Sequence, residues 1–126
     1  MLTYLKASGK FKEIENVSQK KVLRFNGLSI DSVHRRVQRG EIIIKLTHFE
    51  FEILYFLASH PGQVFTKEQI YYQVWNQVCY KAENNVVSMI RRIRKKVELD
   101  PDNPIFIQTV WGSGYKFNHT LNEKEE

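Results

Sequence analysis

The chain has 126 residues, 42% of them apolar and 13% aromatic, with 19 Lys and Arg against 14 Asp and Glu, a net charge of +5 and a pI near 9.4. This composition excludes a disordered chain and fits one globular domain able to bury a core. One cysteine, Cys79, excludes an intramolecular disulfide and points to a reducing, cytoplasmic setting; no secretory leader is recognisable, and no apolar run approaches the roughly 20 residues of a membrane span.

Residues 1–21 are mixed, with only Phe11, Ile14 and Val17 as spaced apolar residues, and read as a tail or linker. A domain is expected over 22–118, followed by a polar C-terminal tail, 119–126. From Val22 the pattern turns to short strands: Val22–Phe25, the turn Asn26-Gly27, Leu28–Asp31, Arg35–Arg39, the turn at Gly40, and Glu41–Lys45. Four such strands make an antiparallel sheet that needs a cover.

Helices supply it. Thr47 with Glu50 three residues later is a capping box, and Phe49, Ile53, Phe56 and Leu57 then recur at helical spacing until Pro61-Gly62. Thr66 and Gln69 repeat the cap, and Ile70, Val74 and Trp75 form the stripe of a second helix ending near Asn76. Asn76–Ala82 reads as a loop.

A third helix is predicted over Asn84–Glu98, stopped by the Asp100-Pro101 step. At 100° per residue Val86, Ile90, Ile93 and Val97 share one face, while Asn84, Ser88, Arg91 and Lys95 lie opposite, with Asn85 and Arg92 on one border. Five cations fall between Arg91 and Lys96, so the whole formal excess of positive charge sits in this segment. Such a concentration fits a phosphate-facing surface; the plainer alternative is a solvated helix face. After Pro101 and Pro104, the strands Ile105–Val110 and Tyr115–Phe117 flank Trp111-Gly112-Ser113-Gly114 and make a hairpin. The fold class is therefore α+β: a four-stranded antiparallel sheet, three helices and a C-terminal hairpin.

Four segments in this order resemble the OmpR/PhoB-type response-regulator DNA-binding domain: Gly40 to Phe51, Pro61 to Thr66, Val86 to Lys96 and Thr109 to Phe117. The resemblance implies a winged helix-turn-helix that binds duplex DNA to regulate transcription, with the third helix in the major groove. It implies that Arg91 reads base edges, that Arg92 serves bases and backbone, and that Lys95 meets a phosphate, with Asn84, Asn85 and Ser88 on the same DNA-facing side. The hairpin becomes the wing, with Thr109 and Lys116 as backbone contacts. Trp111 stands where many relatives carry arginine, and packing against the domain is favoured for it over contact with sugar edges. Arg94 either pairs with a first-helix carboxylate such as Glu50 or meets DNA, and Lys96 is a solvated flank. Loop 76–82 lies where such domains touch RNA polymerase, although a plain connection is the simpler reading.

Relatives carry a receiver domain ahead of this module, which 21 residues cannot hold, so a cut-out effector domain and a receiver-free regulator both stay open. A monomer in solution is expected, with pairing on direct-repeat DNA. No cofactor or metal is implied. An enzyme is the first rival, but His34, His48, His60 and His119 share no ligand spacing and Cys79 has no evident base beside it. A protein-interaction module is the second, and RNA binding the third, since the narrow A-form groove would exclude the helix.

Overall fold

The structure, a computed structural model, describes residues 22–77 and 82–120, with residues 82–84 described as backbone only. The predicted tail 1–21, residues 121–126 of the predicted tail 119–126, and residues 78–81 of the predicted 76–82 loop, lie outside the described residues.

Four strands, β1 (Val22–Phe25), β2 (Leu28–Asp31), β3 (Arg36–Arg39) and β4 (Ile42–Ile44), form an antiparallel meander in that order. Asn26-Gly27 turns the chain so that Phe25 pairs with Leu28, with Gly27 at φ +81°. The third strand begins one residue later than the sequence pattern suggests. Arg35 has φ +52°, because Asp31 Oδ1 accepts from the Val33 and His34 N–H groups and winds the chain into a turn. The fourth strand is also shorter than Glu41–Lys45. Leu23, Phe25, Leu28, Ile30 and Val37 line the buried face at the two-residue period of pleated backbone.

Helix α1 (His48–Ala58) starts at the expected capping box, in which Glu50 N–H donates to Thr47 Oγ1 at 3.3 Å and Thr47 N–H to Glu50 Oε1 at 3.0 Å. It stops at Ser59, short of Pro61, where the Ser59 N–H and hydroxyl both return to the Tyr55 carbonyl. Helix α2 (Lys67–Trp75) repeats the box with Thr66 and Gln69 and ends on Asn76 in the left-handed conformation. Helix α3 (Ala82–Val97) begins two residues before the predicted start, so Ala82 belongs to the helix and not to the loop. Val86, Ile90, Ile93 and Val97 are all buried, and burial of each such aliphatic side chain stabilises by about 1.5–3 kcal/mol.

Strands β5 (Ile107–Val110) and β6 (Gly114–Phe117) form the hairpin. Strand β5 starts two residues later than predicted, because the backbone amides of Ile105 and Phe106 turn to the Glu98 carboxylate. Phe65 adds a bridge to Tyr115, exchanging both backbone hydrogen bonds at 2.9 Å. Gly114 makes this possible: a Cβ there would lie 2.0 Å from the Phe65 carbonyl oxygen. Phe117 packs on Phe25 with ring centroids 4.6 Å apart and planes tilted by 51°, which joins the hairpin to the N-terminal sheet through one core. No described helix is long and apolar enough to cross a membrane.

Candidate nucleic-acid interface

With its apolar stripe in the core, α3 holds its opposite face outward. Asn85, Arg91, Arg92 and Lys95 are exposed and Ser88 is half-buried on that side. Arg92 Nη1 lies 3.3 Å from Met89 Sδ, one turn back on the same helix. No acidic partner among the described residues neutralises Arg91, Arg92 or Lys95, so the cations face solvent with most of their charge unspent. The side chain of Asn84 lies outside the described residues.

The two flanks of α3 behave differently. At 100° per residue Arg94 sits about 80° from Val86 around the helix and Lys96 about 280°, on opposite sides of the core stripe. Lys96 therefore faces α1, and its Nζ lies 2.7 Å from Oε1 of the buried Glu50. Arg94 faces the hairpin: its Nε and Nη2 donate to the Ile107 carbonyl at 3.1 and 2.9 Å, and Nη2 also to Thr109 Oγ1 at 2.9 Å. Of the two alternatives expected for Arg94, pairing with Glu50 is corrected, since Lys96 takes that carboxylate, and Lys96 is not the solvated flank that was expected. Burial pulls the Arg94 guanidinium below its ordinary value, partly opposed by Tyr115 and Glu98. Arg94 is nonetheless a cation at any ordinary pH.

Glu98, one turn beyond Arg94, is 3% exposed. Its two carboxylate oxygens accept from the backbone N–H groups of Ile105, Phe106 and Ile107 at 2.8–3.1 Å. Sequence reading missed both roles, although the spacing held a signal: two opposite charges four residues apart on the flank of a helix whose next segment is a strand. The far end of α3 is held from the sheet, where Arg39 Nη1 donates to the Lys96 and Val97 carbonyls at 3.3 and 2.9 Å. A cation there also suits the negative end of the helix dipole.

Between α3 and the hairpin runs an open cleft of about 580 Å³, lined in part by Arg91, Arg94, Lys95, Gln108, Thr109 and Trp111. Trp111, at the hairpin tip, is 90% exposed. The expectation that it packs against the domain is corrected. The turn Trp111-Gly112-Ser113, with Gly112 at φ +81°, carries the indole beyond the last strand pair. Lys116 is half-buried on β6, and Thr109 is half-buried with its hydroxyl already accepting from Arg94. The structure thus gathers Arg91, Lys95, Thr109 and Trp111 around one cleft, with Arg92 and Asn85 on the other border of α3. Among the described residues no three His, Cys, Asp or Glu side chains converge to hold a metal.

Residues 40–117 match the family model described as transcriptional regulatory protein, C terminal. Over 102 residues the chain is 41% identical to the transcriptional regulatory protein YcbL of Bacillus subtilis, covering 81% of this chain and 45% of that protein. The response regulator DrrB of Thermotoga maritima, an OmpR/PhoB homologue, superposes with a TM-score of 0.73 at 38% identity, over 80% of this chain and 46% of that one. The RstA DNA-binding domain of Klebsiella pneumoniae, solved in complex with the RstA box, gives a TM-score of 0.73 at 30% identity, over 79% of this chain and 99% of that one. The chain spans about half the length of the curated relatives it matches.

Proposed function

The chain belongs to the family of C-terminal domains of transcriptional regulatory proteins, and from that premise we propose that it binds duplex DNA in a sequence-specific way and thereby regulates transcription. In this reading α3 enters the major groove, about 12 Å wide, and the β5–β6 wing lies against the adjacent minor groove or its backbone. Arg91 reads base edges, where a guanidinium can meet guanine bidentately, and Arg92 divides between bases and phosphates. Lys95 and Lys116 anchor phosphates, and Asn85, Ser88 and Thr109 add polar contacts. Trp111, free of the domain, meets sugar edges in the minor groove. The reading assigns no catalysis and no cofactor. It places the protein in the cytoplasm as a monomer that pairs on direct-repeat DNA.

The observation that carries the proposal is the division of α3. One half of the helix is sealed in the core, while Arg91, Arg92 and Lys95 stand on the other half with no acidic partner among the described residues. A merely solubilising helix face has no need to gather three cations without an acidic partner beside a projecting hairpin. Nuclear magnetic resonance titration of the labelled protein with a short duplex tests the assignment. Amide shifts should cluster in residues 85–95 and 109–116, and shifts confined to β1–β4 would contradict it.

A further inference from the structure

Two residues that the proposed DNA contacts do not use tie the helix to the wing. Glu98 accepts from three successive backbone N–H groups at the start of β5, and Arg94, one turn earlier, donates to the Ile107 carbonyl and Thr109 hydroxyl further along the same segment. The carboxylate takes three backbone donors of residues 105–107, and the guanidinium takes one backbone carbonyl, Ile107, and one side-chain hydroxyl, Thr109, of the same segment. Both groups are charged, and charge-assisted hydrogen bonds are the short, strong kind. Glu98 is almost wholly buried and Arg94 half-buried, so water competes weakly for either. Beyond the N–H groups that Glu98 receives, Asn118 Nδ2 donates to the Ile105 carbonyl and Asn118 N–H to the Phe106 carbonyl, which anchors the same segment from the β6 side.

We propose that Arg94 and Glu98 are positioning residues that fix the distance and angle between the recognition helix and the wing, and so set the width of the cleft between them for one sugar-phosphate strand. The inference rests on the DNA-binding reading above. A helix in the major groove and a wing at the neighbouring minor groove must straddle the strand that separates the two grooves. The cleft between α3 and β5 is where that strand has to run, and Arg91, Lys95, Gln108 and Trp111 line it. Gln108, on β5 and half-buried, thereby joins the residues that face the backbone. Its reach depends on how firmly β5 is held to α3.

The test uses Arg94→Lys and Glu98→Gln in the full chain. Lysine keeps the positive charge but loses the planar fork that spans the Ile107 carbonyl and Thr109 hydroxyl. Glutamine keeps the size but exchanges one acceptor for a donor that faces the N–H groups. Hydrogen exchange on the free protein should quicken at the amides of 105–109 in Arg94→Lys, with α1 and α2 unchanged. On a duplex, hydroxyl-radical protection should disappear on the wing side of the footprint and persist under α3. The slope of log affinity against log salt should flatten by about 1, at about 0.9 for the one phosphate that Lys116 on the wing no longer neutralises. Unchanged exchange at 105–109 together with a full-length footprint would overturn the proposal. If Arg94 instead touched a phosphate directly, lysine would keep both the footprint and the slope, and that result also overturns it. Should Glu98→Gln fail to fold, Arg94→Lys carries the test by itself. Wild-type protein that fails to bind duplex overturns the DNA reading, and the exchange measurement then separates that failure from a failure of the brace.

Discussion

Lys96 Nζ on α3 lies 2.7 Å from Oε1 of Glu50 on α1, a carboxylate with 2% of its surface exposed. The same Oε1 accepts from the Thr47 N–H in the capping box. One buried group therefore starts α1 and locks α3 to it, so the base of α3 depends on a charge.

That charge gives the domain an acid transition. Burial alone would raise the Glu50 carboxyl, but the hydrogen bonds from Lys96 and Thr47 and the charge of Lys96 outweigh it and hold the group below its ordinary value of 4.5. A carboxyl depressed in the folded state contributes stability above its unfolded value, and this is lost as pH falls through the folded value. Urea unfolding should therefore show stability declining below pH 4.5 in the wild type and a flatter profile in Glu50→Gln, which at pH 7 should cost about 1–3 kcal/mol. Parallel profiles would show that Glu50 has no part in the acid sensitivity.

Gly114 should be the least replaceable wing residue. It has φ +145°, and a Cβ would stand 2.0 Å from the Phe65 carbonyl oxygen, which the Tyr115 N–H needs as its acceptor. Gly114→Ala is expected to destabilise by on the order of 3 kcal/mol through backbone strain and loss of the Phe65 bridge. Gly112→Ala has nothing within 4 Å of its Cβ and meets only the strain of φ +81°. Thermal melts of the two variants should separate clearly.

Trp111 gives the opposite pattern. An indole 90% exposed contributes little to the fold, so Trp111→Ala should leave stability within about 0.5 kcal/mol. DNA affinity should nevertheless fall, since the indole meets sugar edges in the proposed complex. A melt that shifts while binding holds would mean the side chain works for the fold and not for the ligand.

Base reading and phosphate anchoring should also separate. Arg91→Ala is expected to cost about 1–3 kcal/mol and to relax preference at one base pair, whereas Lys95→Ala should weaken all sequences alike and lower the salt slope by about 1. Competition titrations with selected and random duplexes check this, and identical behaviour of both variants would erase the distinction.

Much of this architecture is legible in the residues themselves. The two capping boxes at Thr47 and Thr66, the turn at Asn26-Gly27 and the stripe from Val86 to Val97 are local patterns, and each appears where the pattern puts it. What escaped reading is long-range. Arg94 and Lys96 are two residues apart, and which of them meets Glu50 depends on which flank of α3 faces α1, a matter of how the helices cross. Glu98 finds its partners only once the chain has turned back through Pro101 and Pro104 to place β5 beside the end of α3. Trp111 resembles a core residue by type alone, and only the hairpin geometry shows that the indole stands clear of the domain.

The decisive experiment is a fluorescence-anisotropy titration with random-sequence duplex DNA at several salt concentrations, on wild type and on the Arg91→Ala/Arg92→Ala double variant. Wild-type binding that falls steeply with salt, by about 0.9 log units per phosphate contact for each decade, and that weakens in the double variant, is the predicted result. Absence of wild-type binding at low salt, or equal binding by both proteins, would contradict the DNA-reading helix and return its cations to a solvated face.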